Sequence, residues 1–476
     1  FGLSVLHRLD AEMSHRGELF RAAGVQDLPA YRDATGRKMP RTLLVVDEFQ
    51  IFFSEDDKIA QDAAILLDRL VRQGRAFGIH VILGSQTLGG TSGLARSTIG
   101  QMAVRIALQC SEVDSQLILD DGNSAARLLS RPGEAIYNDA GGLLQGNSPF
   151  QTAWLSDETR DGYLDRVTAL ARERANVGET IVFEGNAPAD LRRNRMLMDL
   201  LRNGCDRSAA GRKPQEAAMF WLGEAVAIKD PTAAVLRRLS GANVLLIGQR
   251  DDASLAIMSA GMIGLAAQHA PSDARFVILD GGSPDSPQML QQIAAILPHE
   301  CKHVEYRNVP DSITELATEL RRRQAEGTPA DPSIYVLIHG LQRYRVLRKS
   351  EDAFSFSFNS GEEDKPPATD KLFAEILREG PAVGIHVIAW ADTPATVERT
   401  FERQTLREFD NRVLFQMSAA DSSNLIDSPL ANRLGFYRAL FFSEEQGLLE
   451  KFRPYSLPDR DLLEEVRAQF ARSRTA

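Results

Sequence analysis

The feature that most constrains the fold is a set of segments that occurs twice, in the same order, in the two halves of the chain. GRAFGIHVILGSQ at 74–86 corresponds to GPAVGIHVIAWAD at 380–392. RIALQCSEVDS at 105–115 corresponds to RVLFQMSAADS at 412–422, with Arg, Gln, Ser, Asp and Ser in identical places. Matches that keep their order over a long separation are typical of duplicated units. The chain is therefore predicted to hold two copies of one module.

A third pair of segments differs between the copies at one place. RTLLVVDEFQIFF at 41–53 corresponds to SIYVLIHGLQRYR at 333–345, and the two align on a shared Gln. Both begin as a buried apolar strand. The first strand ends in Asp-Glu and the second in His-Gly, so the copies share a scaffold and differ in chemistry at this point.

Each copy alternates unbroken Val/Ile/Leu runs with amphipathic helices, which indicates a parallel sheet covered on both faces. The predicted fold class is α/β, doubly wound. Copy two also has a front half of strand, helix, strand and helix at 242–297, for which copy one shows no equivalent. The expected organisation is a first module at 1–154, a helical connecting segment at 155–214 and a second module at 215–476.

The composition is that of a globular protein that can bury a large core, with 43% hydrophobic and 25% charged residues. The net charge of -10 gives no global signal for nucleic acid, although a local basic pore can sit within an acidic protein. No apolar run reaches the roughly 18–20 residues that a membrane-spanning helix needs. Since the chain opens inside a helix pattern, a further domain or a membrane anchor is expected upstream of Phe1.

The acidic pair at the end of the first strand is typical of nucleoside-triphosphate hydrolysis. At the carboxyl end of such a strand, Asp47 would hold Mg²⁺ through water while Glu48 polarises the attacking water. Alternatively, the two acids are the solvated start of a loop.

Two further polar residues follow the same logic. Gln86 emerges at the carboxyl end of the next strand, where its amide could contact the γ-phosphate or the attacking water. Arg75, which precedes that strand, could act as an arginine finger in the site of a neighbouring subunit. The alternatives are a polar strand end and a solvated arginine near a helix C-terminus.

Copy two lacks all four candidate catalytic residues. The positions equivalent to Asp47, Glu48, Arg75 and Gln86 hold His339, Gly340, Pro381 and Asp392. Copy two also carries an altered phosphate loop at 248–255, where Ala, Ser and Leu replace the Gly, Lys and Ser/Thr of G-x-x-x-x-G-K-[ST]. We expect no ATP hydrolysis in copy two, and the phosphate loop of copy one is expected upstream of Phe1.

The segments LLVVDEFQIFF (43–53), RAFGIHVILGSQT (75–87) and RIALQCSEVDSQLILDDGNSAARLLSRPGEAIY (105–137) resemble the second half of the motor domain of FtsK/SpoIIIE-type ATPases. Those proteins are RecA-like, hexameric P-loop translocases. The resemblance implies ATP and Mg²⁺ as cofactors and a homo-hexameric ring. It also implies roles for four residues: Walker B pair (Asp47, Glu48), sensor (Gln86) and arginine finger (Arg75).

The leading functional hypothesis is an ATP-driven translocase of double-stranded DNA, with copy one as the engine and copy two structural or regulatory. The alternative is a motor resembling the EccC-type ATPases of type VII secretion, whose last module binds a secreted protein substrate. Thr87 and Leu88 follow Gln86 where the DNA translocases often carry Arg-Pro, so both hypotheses stay open. The protein is expected in the cytoplasm, at the inner face of the membrane if anchored upstream, and this piece alone is expected to be inactive.

Overall fold

The chain divides into two compact units, Phe1–Phe183 and Glu184–Ala476, in the computed structural model. The expected connecting segment contributes one helix to each unit. The structure describes residues 1–53, 57–88, 98–174, 181–203, 217–282, 288–327, 331–350 and 368–473.

The first unit combines helices with two small sheets. Its helices are α1 (Gly2–Ala22), α2 (Leu28–Thr35), α3 (Lys58–Gln73), α4 (Glu112–Ile118) and α5 (Asp157–Glu173). Its strands are β1 (Thr42–Val46), β2 (Ile79–Leu83), β3 (Arg105–Leu108), β4 (Glu134–Asn138) and β5 (Asn147–Gln151).

Helix α3 shows how the sequence builds this unit. It begins where the Asp57 side chain accepts a hydrogen bond from the Ala60 amide, which satisfies one of the free N–H groups of the first turn. Most of its apolar residues recur at helical spacing on a buried face, with Leu67 and Leu70 in one core cluster with Ile79 of β2. The helix thus covers one face of the strands.

The strands of the first unit form a parallel pair, β1-β2, and an antiparallel sheet, β3-β4-β5. Among the residues that the structure describes, β2 pairs with β1 alone and β3 pairs with β4 alone. The two sheets of this unit are therefore not joined by a described strand.

The second unit is larger. Its helices are α6 (Arg195–Asn203), α7 (Asp251–Gln268), α8 (Met289–Ile296), α9 (Val309–Glu326), α10 (Thr369–Glu379), α11 (Pro394–Thr400), α12 (Arg403–Leu406), α13 (Ala419–Ile426) and α14 (Arg460–Ser473). Its strands are β6 (Ala217–Ala225), β7 (Thr232–Arg237), β8 (Val244–Ile247), β9 (Ala274–Asp280), β10 (Glu300–His303), β11 (Ser333–His339), β12 (Ile385–Ala391), β13 (Asn411–Leu414), β14 (Ala439–Ser443) and β15 (Leu448–Pro454).

One ten-stranded sheet organises the second unit, in the order β10-β9-β11-β12-β8-β13-β14-β15-β6-β7. Along this order, neighbouring strands from β10 as far as β13 pair in parallel, and those from β13 to β7 pair antiparallel. Successive residues of a strand enter different cores, since Leu246 of β8 packs in one cluster and Leu245 in another. Apolar layers on both faces confirm the doubly wound α/β prediction. The antiparallel hairpin β6-β7 was not foreseen.

The pairing register agrees with the sequence repeat. Thr42 of β1 lies opposite Ile79 of β2, and the equivalent residues of the second unit, Ile334 and Ile385, are also opposite each other. The two modules thus place their matching strands in the same register.

The repeated arginine has one role in both modules. Arg105 donates from Nε to the Met102 carbonyl oxygen at 3.1 Å, and Arg412 donates from Nε to the Phe409 carbonyl oxygen at 2.9 Å. Each guanidinium supports the turn before the strand that carries it, so this identity between the copies has a structural cause. Within the described part of the chain, no helix is long and apolar enough to cross a membrane.

Candidate functional site

The acidic tip, Asp47 and Glu48, lies at the carboxyl end of β1. Because β1 and β2 are parallel and Val46 lies opposite Leu83, the residues after each strand emerge at the same edge of the sheet. Asp47 Oδ1 lies so near Gly84 that a β-carbon on that glycine would be 3.0 Å from it. The structure therefore brings the acidic tip together with the sensor loop, residues 84–88, which carries Gln86.

Glu48 has a backbone conformation that its residue type disfavours. Its φ of 51° is in the left-handed region, which glycine adopts freely and glutamate adopts at a cost of about 1–3 kcal/mol. The equivalent residue of the second module is Gly340, with a φ of 81°. Both modules need the same turn, and only the first fills it with a carboxylate.

Hydrogen bonds join the acidic tip to the sensor loop. Gln50 Nε2 donates to Glu48 Oε2, and Gln50 Oε1 accepts from Ser85 Oγ at 2.6 Å. The backbone adds a contact, since the Phe49 amide donates to the Gly84 carbonyl oxygen at 3.1 Å.

The far end of the sensor loop is held by α4. Asp114 Oδ1 accepts from Thr87 Oγ1 at 3.0 Å and from the Leu88 amide at 2.8 Å. Asp114 and Ser111 also cap α4 reciprocally. Sequence reasoning noted this Asp only as a repeated residue and did not assign Gln50 or Ser85 a role. The signal available for Gln50 was its identity in both copies.

Gln86 and Arg75 lie at opposite ends of β2. Gln86 is exposed in the sensor loop after the strand, whereas Arg75 is exposed in the turn before it. The strand between them has 5 residues and rises about 3.3 Å per residue. Arg75 is therefore not part of the cluster formed by the other three residues, which is compatible with action on another subunit.

Asp47 fits the way in which proteins hold Mg²⁺ beside a nucleotide. Mg²⁺ keeps several waters and takes one or two carboxylates together with phosphate oxygens. Asp47 is an exposed carboxylate whose Oδ1 accepts from the Glu48 amide at 3.1 Å, at the strand edge where ligands bind in such sheets. No group of three or more His, Cys, Asp or Glu residues forms a metal cage within the described ranges.

The second module has a strand, β8, with no counterpart among the described strands of the first module. There β8, the strand before the altered phosphate loop, lies between β12 and β13. Their counterparts in the first module are β2 and β3, which have no described strand between them. Among the described residues of the first unit, no strand therefore takes the place that β8 has in the second.

Exposed apolar side chains on β1, β2 and β3 form a surface that we call the apolar sheet face. Five large apolar side chains of β1, β2 and β3 are each more than half exposed: Leu43, Val45, Ile82, Ile106 and Leu108. Their counterparts in the second module are all buried in one cluster, under residues of α7: Tyr335, Leu337, Ile388, Val413 and Phe415. The first unit therefore presents the surface that a strand and helix cover in the second.

The altered phosphate loop of the second module is closed by its own groups. Its Gly248 and Arg250 amides donate to carbonyl oxygens, of Ala391 at 3.0 Å and of Gly248 at 2.9 Å. The Arg250 guanidinium binds both carboxylate oxygens of Asp252, at 2.9 and 2.8 Å, and stacks 3.9 Å from the ring centre of Phe436. The hydrogen bond from Arg250 keeps the pKa of Asp252 below its ordinary value.

Residues that replace the acidic tip fill the equivalent space. His339 is buried between Asp251, 3.0 Å from Nε2, and Asp280, 3.2 Å from Nδ1. Its ring stacks on Trp390, whose Nε1 donates to the Gly248 carbonyl oxygen at 3.0 Å. Burial alone would lower the pKa of His339, but the two neighbouring carboxylates raise it above the ordinary value. A cation-forming side chain thus occupies the position of Asp47.

A cleft of about 140 Å³ opens beside this loop. Its lining is largely aromatic and apolar, with two arginines: Phe415, Phe436, Tyr437, Tyr455, Arg250 and Arg438.

Part of the chain is similar in sequence to curated proteins. The chain is 28% identical over 200 residues to the DNA translocase FtsK of Streptococcus pyogenes serotype M6, covering 39% of this chain and 23% of the relative. It is also 28% identical over 194 residues to the DNA translocase SpoIIIE of Bacillus subtilis strain 168, covering 38% of this chain and 23% of the relative. Over part of its length, this chain is similar in sequence to DNA translocases of the FtsK/SpoIIIE type. No protein-family model matches it. The alignments span less than a quarter of each relative.

Solved structures extend the likeness to both units. The cytoplasmic domain of the type VII secretion ATPase EccC of Thermomonospora curvata has a TM-score of 0.63 at 18% identity, covering 99% of this chain and 55% of that chain. EccC ATPases 2 and 3 of the same organism, in complex with a signal sequence peptide, have a TM-score of 0.53 at 14% identity, covering 95% and 76%. At these identities the comparison establishes the fold. The chain shares the α/β fold of these solved ATPases, in agreement with the fold that the FtsK/SpoIIIE resemblance implied.

Proposed function

We propose that this chain is part of an ATP-hydrolysing motor that translocates double-stranded DNA, with the first module as its engine. The observation that carries the proposal is Glu48, a carboxylate kept in a left-handed turn where the second module has glycine. Strain of this kind persists where function requires it. The relatedness to FtsK and SpoIIIE translocases supports DNA as the substrate.

The roles follow from the geometry of the acidic tip. Asp47 would hold Mg²⁺ beside the nucleotide, and the ion would neutralise developing charge on the phosphates. Glu48 would accept a hydrogen bond from the attacking water and orient it. Gln86, on the sensor loop at the same sheet edge, would contact the γ-phosphate.

A complete site needs a phosphate loop on a strand between β2 and β3. The second module seats β8 at this place, and the apolar sheet face of the first module is the surface such a strand and its helix would cover. We place this segment upstream of Phe1, so the chain alone would not turn over ATP.

A homo-hexameric ring would explain the position of Arg75. At the far end of β2 from Glu48, its guanidinium is exposed and could enter the site of a neighbouring subunit. An upstream anchor would hold the ring at the inner face of the membrane, on the cytoplasmic side.

The second module would be structural or regulatory. Its loop amides donate to carbonyls, two aspartates begin α7, and Trp390 and His339 fill the adjacent space. These features oppose the binding of a nucleotide phosphate, because the aspartates repel an anion and the Gly248 and Arg250 amides are already engaged by carbonyl oxygens.

A protein-secretion motor is the second candidate. It is favoured by the aromatic cleft of the second module and by the likeness to EccC, which has been solved with a signal sequence peptide. In this case the cleft would bind a segment of a secreted protein with an apolar face and an acidic residue opposite Arg438.

The two candidates differ in what stimulates ATP turnover. We would measure turnover by a protein that includes the phosphate-loop segment, alone, with long duplex DNA, and with small helical secreted proteins. Stimulation by DNA, with no response to Phe436→Ala, supports the DNA motor. Stimulation only by the secreted proteins, lost in Phe436→Ala, supports the secretion motor and contradicts DNA translocation.

A further inference from the structure

Gln50 lies where one side chain can reach both halves of the candidate site. It belongs to the 3-10 turn Phe49–Phe53 that follows the acidic tip. Its amide nitrogen donates to Glu48 and its amide oxygen accepts from Ser85, next to Gln86. A planar amide that is engaged at both ends has little rotational freedom, so the two contacts are coupled.

Gln86 lies between two places at which hydrogen bonds hold the sensor loop. On one side Ser85 Oγ lies 2.6 Å from Gln50 Oε1 and 2.6 Å from the Thr87 carbonyl oxygen. On the other side Asp114 binds Thr87 and Leu88. Since Ser85 Oγ has one proton for two acceptors, a movement of this loop changes the hydrogen bond that Gln50 receives.

The equivalent glutamine of the second module shows which of the two contacts of Gln50 depends on a glutamate. Gln342 is the equivalent of Gln50, and its Oε1 accepts from the amide of Asp392, the residue in place of Gln86, at 3.4 Å. The residue equivalent to Glu48 is Gly340, which offers no side chain for a glutamine amide to hold. In both modules the glutamine Oε1 thus accepts from the segment after the neighbouring strand, although from a different donor, and the contact with a glutamate is seen in the first.

We propose that Gln50 is a positioning residue that fixes the Glu48 carboxylate and links its placement to the sensor loop. This inference rests on the proposed ATPase function of the first module. Contact between Gln86 and a γ-phosphate would shift the loop and change the hydrogen bond from Ser85 to Gln50. The hydrogen bond from Gln50 to the Glu48 carboxylate would change in turn. Gln50 itself touches neither nucleotide nor water.

The first test is steady-state turnover in the protein that includes the phosphate-loop segment. Gln50→Leu, which keeps the size of the side chain, is expected to lower kcat about tenfold while KM for ATP stays within about twofold, because positioning affects the chemical step more than binding. Gln342→Leu is the matched control and is expected to leave both constants unchanged.

A charge variant separates positioning from packing. In Gln50→Glu the new carboxyl, when ionised, cannot donate to Glu48, and when protonated it can. Turnover relative to wild type is therefore expected to rise as the pH is lowered through the titration of the new carboxyl. A residue that only packs the turn would give the same ratio at every pH.

The second test needs no turnover and uses the chain as it stands. Hydrogen exchange of the backbone amides at 84–88 is expected to be about tenfold faster in Gln50→Leu. Faster exchange with unchanged kcat would make Gln50 a structural tie and overturn the inference. Unchanged exchange would also overturn it. Full turnover in Glu48→Gln would instead overturn the proposed function on which the inference rests.

Discussion

At the scale of single residues, the comparison of Glu48 with Gly340 carries the most information. The two residues share a turn that needs a positive φ, which the second module satisfies with glycine. Keeping glutamate there costs stability, and the structure shows what the carboxylate does in return: it accepts from Gln50 at the edge where Asp47 and the sensor loop meet.

Glu48→Gly is expected to stabilise the first unit by up to about 1 kcal/mol, because relief of left-handed strain exceeds the loss of one half-buried hydrogen bond. Hydrogen exchange of the β1 amides in increasing urea reports this unit by itself. Gly340→Ala is the matched control and should destabilise the second unit, since the added Cβ would also lie 2.9 Å from the Gly281 carbonyl oxygen. A less stable first unit in Glu48→Gly would refute the strain argument.

His339 gives the second unit a pH dependence of predictable sign. Its pKa is raised by Asp251 and Asp280, so its stabilising contribution is complete below the ordinary value of 6.5 and is lost as the pH rises through the raised value. The melting temperature of the second unit should therefore fall as the pH rises above 6.5. His299 and His386, whose pKa values are lowered to about 4, act only at more acidic pH.

The measurement is a series of melting curves between neutral and alkaline pH for wild type and His339→Asn. The asparagine does not titrate, so the fall above 6.5 should be absent in the variant. An equal fall in both proteins would show that the pair of carboxylates does not hold a protonated histidine.

At the scale of elements, the apolar sheet face is where the two units differ in burial. The strands of the first unit have the apolar sequence of a sheet that is buried on both faces. One face is covered by α3, whereas the large apolar side chains on the other face are more than half exposed. In the second unit the same positions lie under α7, which is buried along most of its length.

Matched substitutions test this difference. Val45→Thr with Ile106→Thr should change the stability of the first unit little and should reduce binding of an apolar dye to the chain. Leu337→Thr with Val413→Thr, at the equivalent buried positions, should destabilise the second unit by at least about 3 kcal/mol. Unit-specific hydrogen exchange provides the comparison, and equal losses in the two units would contradict the assignment of the open face.

The sequence predicted much of this architecture because the strands are strongly apolar and the repeat fixes their order. The front half of the second module at 242–297 formed the predicted strand, helix, strand and helix. The hairpin β6-β7 was missed because its small residues, such as Ala217 and Ala233, carry no strong strand signal. The positive φ of Glu48 and the Gln50 bridge were also beyond reach, since both depend on how the turn after β1 meets β2.

At the scale of the whole molecule, the placement of Arg75 favours shared sites. Glu48 and Arg75 are at opposite ends of β2, so a subunit could supply the glutamate of one site and the arginine of another.

Mixing inactive subunits tests this arrangement. Glu48→Gln and Arg75→Ala, each in the protein that includes the phosphate loop, are expected to be nearly inactive alone. In a one-to-one mixture about a quarter of the sites combine an intact glutamate with an intact arginine, so turnover should recover toward that fraction of wild type. A mixture no more active than its components would place both residues in the same site or remove Arg75 from it.

The most direct measurement is ATP turnover by the protein that includes the phosphate-loop segment, with wild type, Glu48→Gln and Asp392→Asn compared. The account predicts a loss of at least about a hundredfold in Glu48→Gln and unchanged turnover in Asp392→Asn, because general-base catalysis would reside in the first module alone. Full turnover in Glu48→Gln, or equal losses in both variants, would contradict the claim that the first module is the engine.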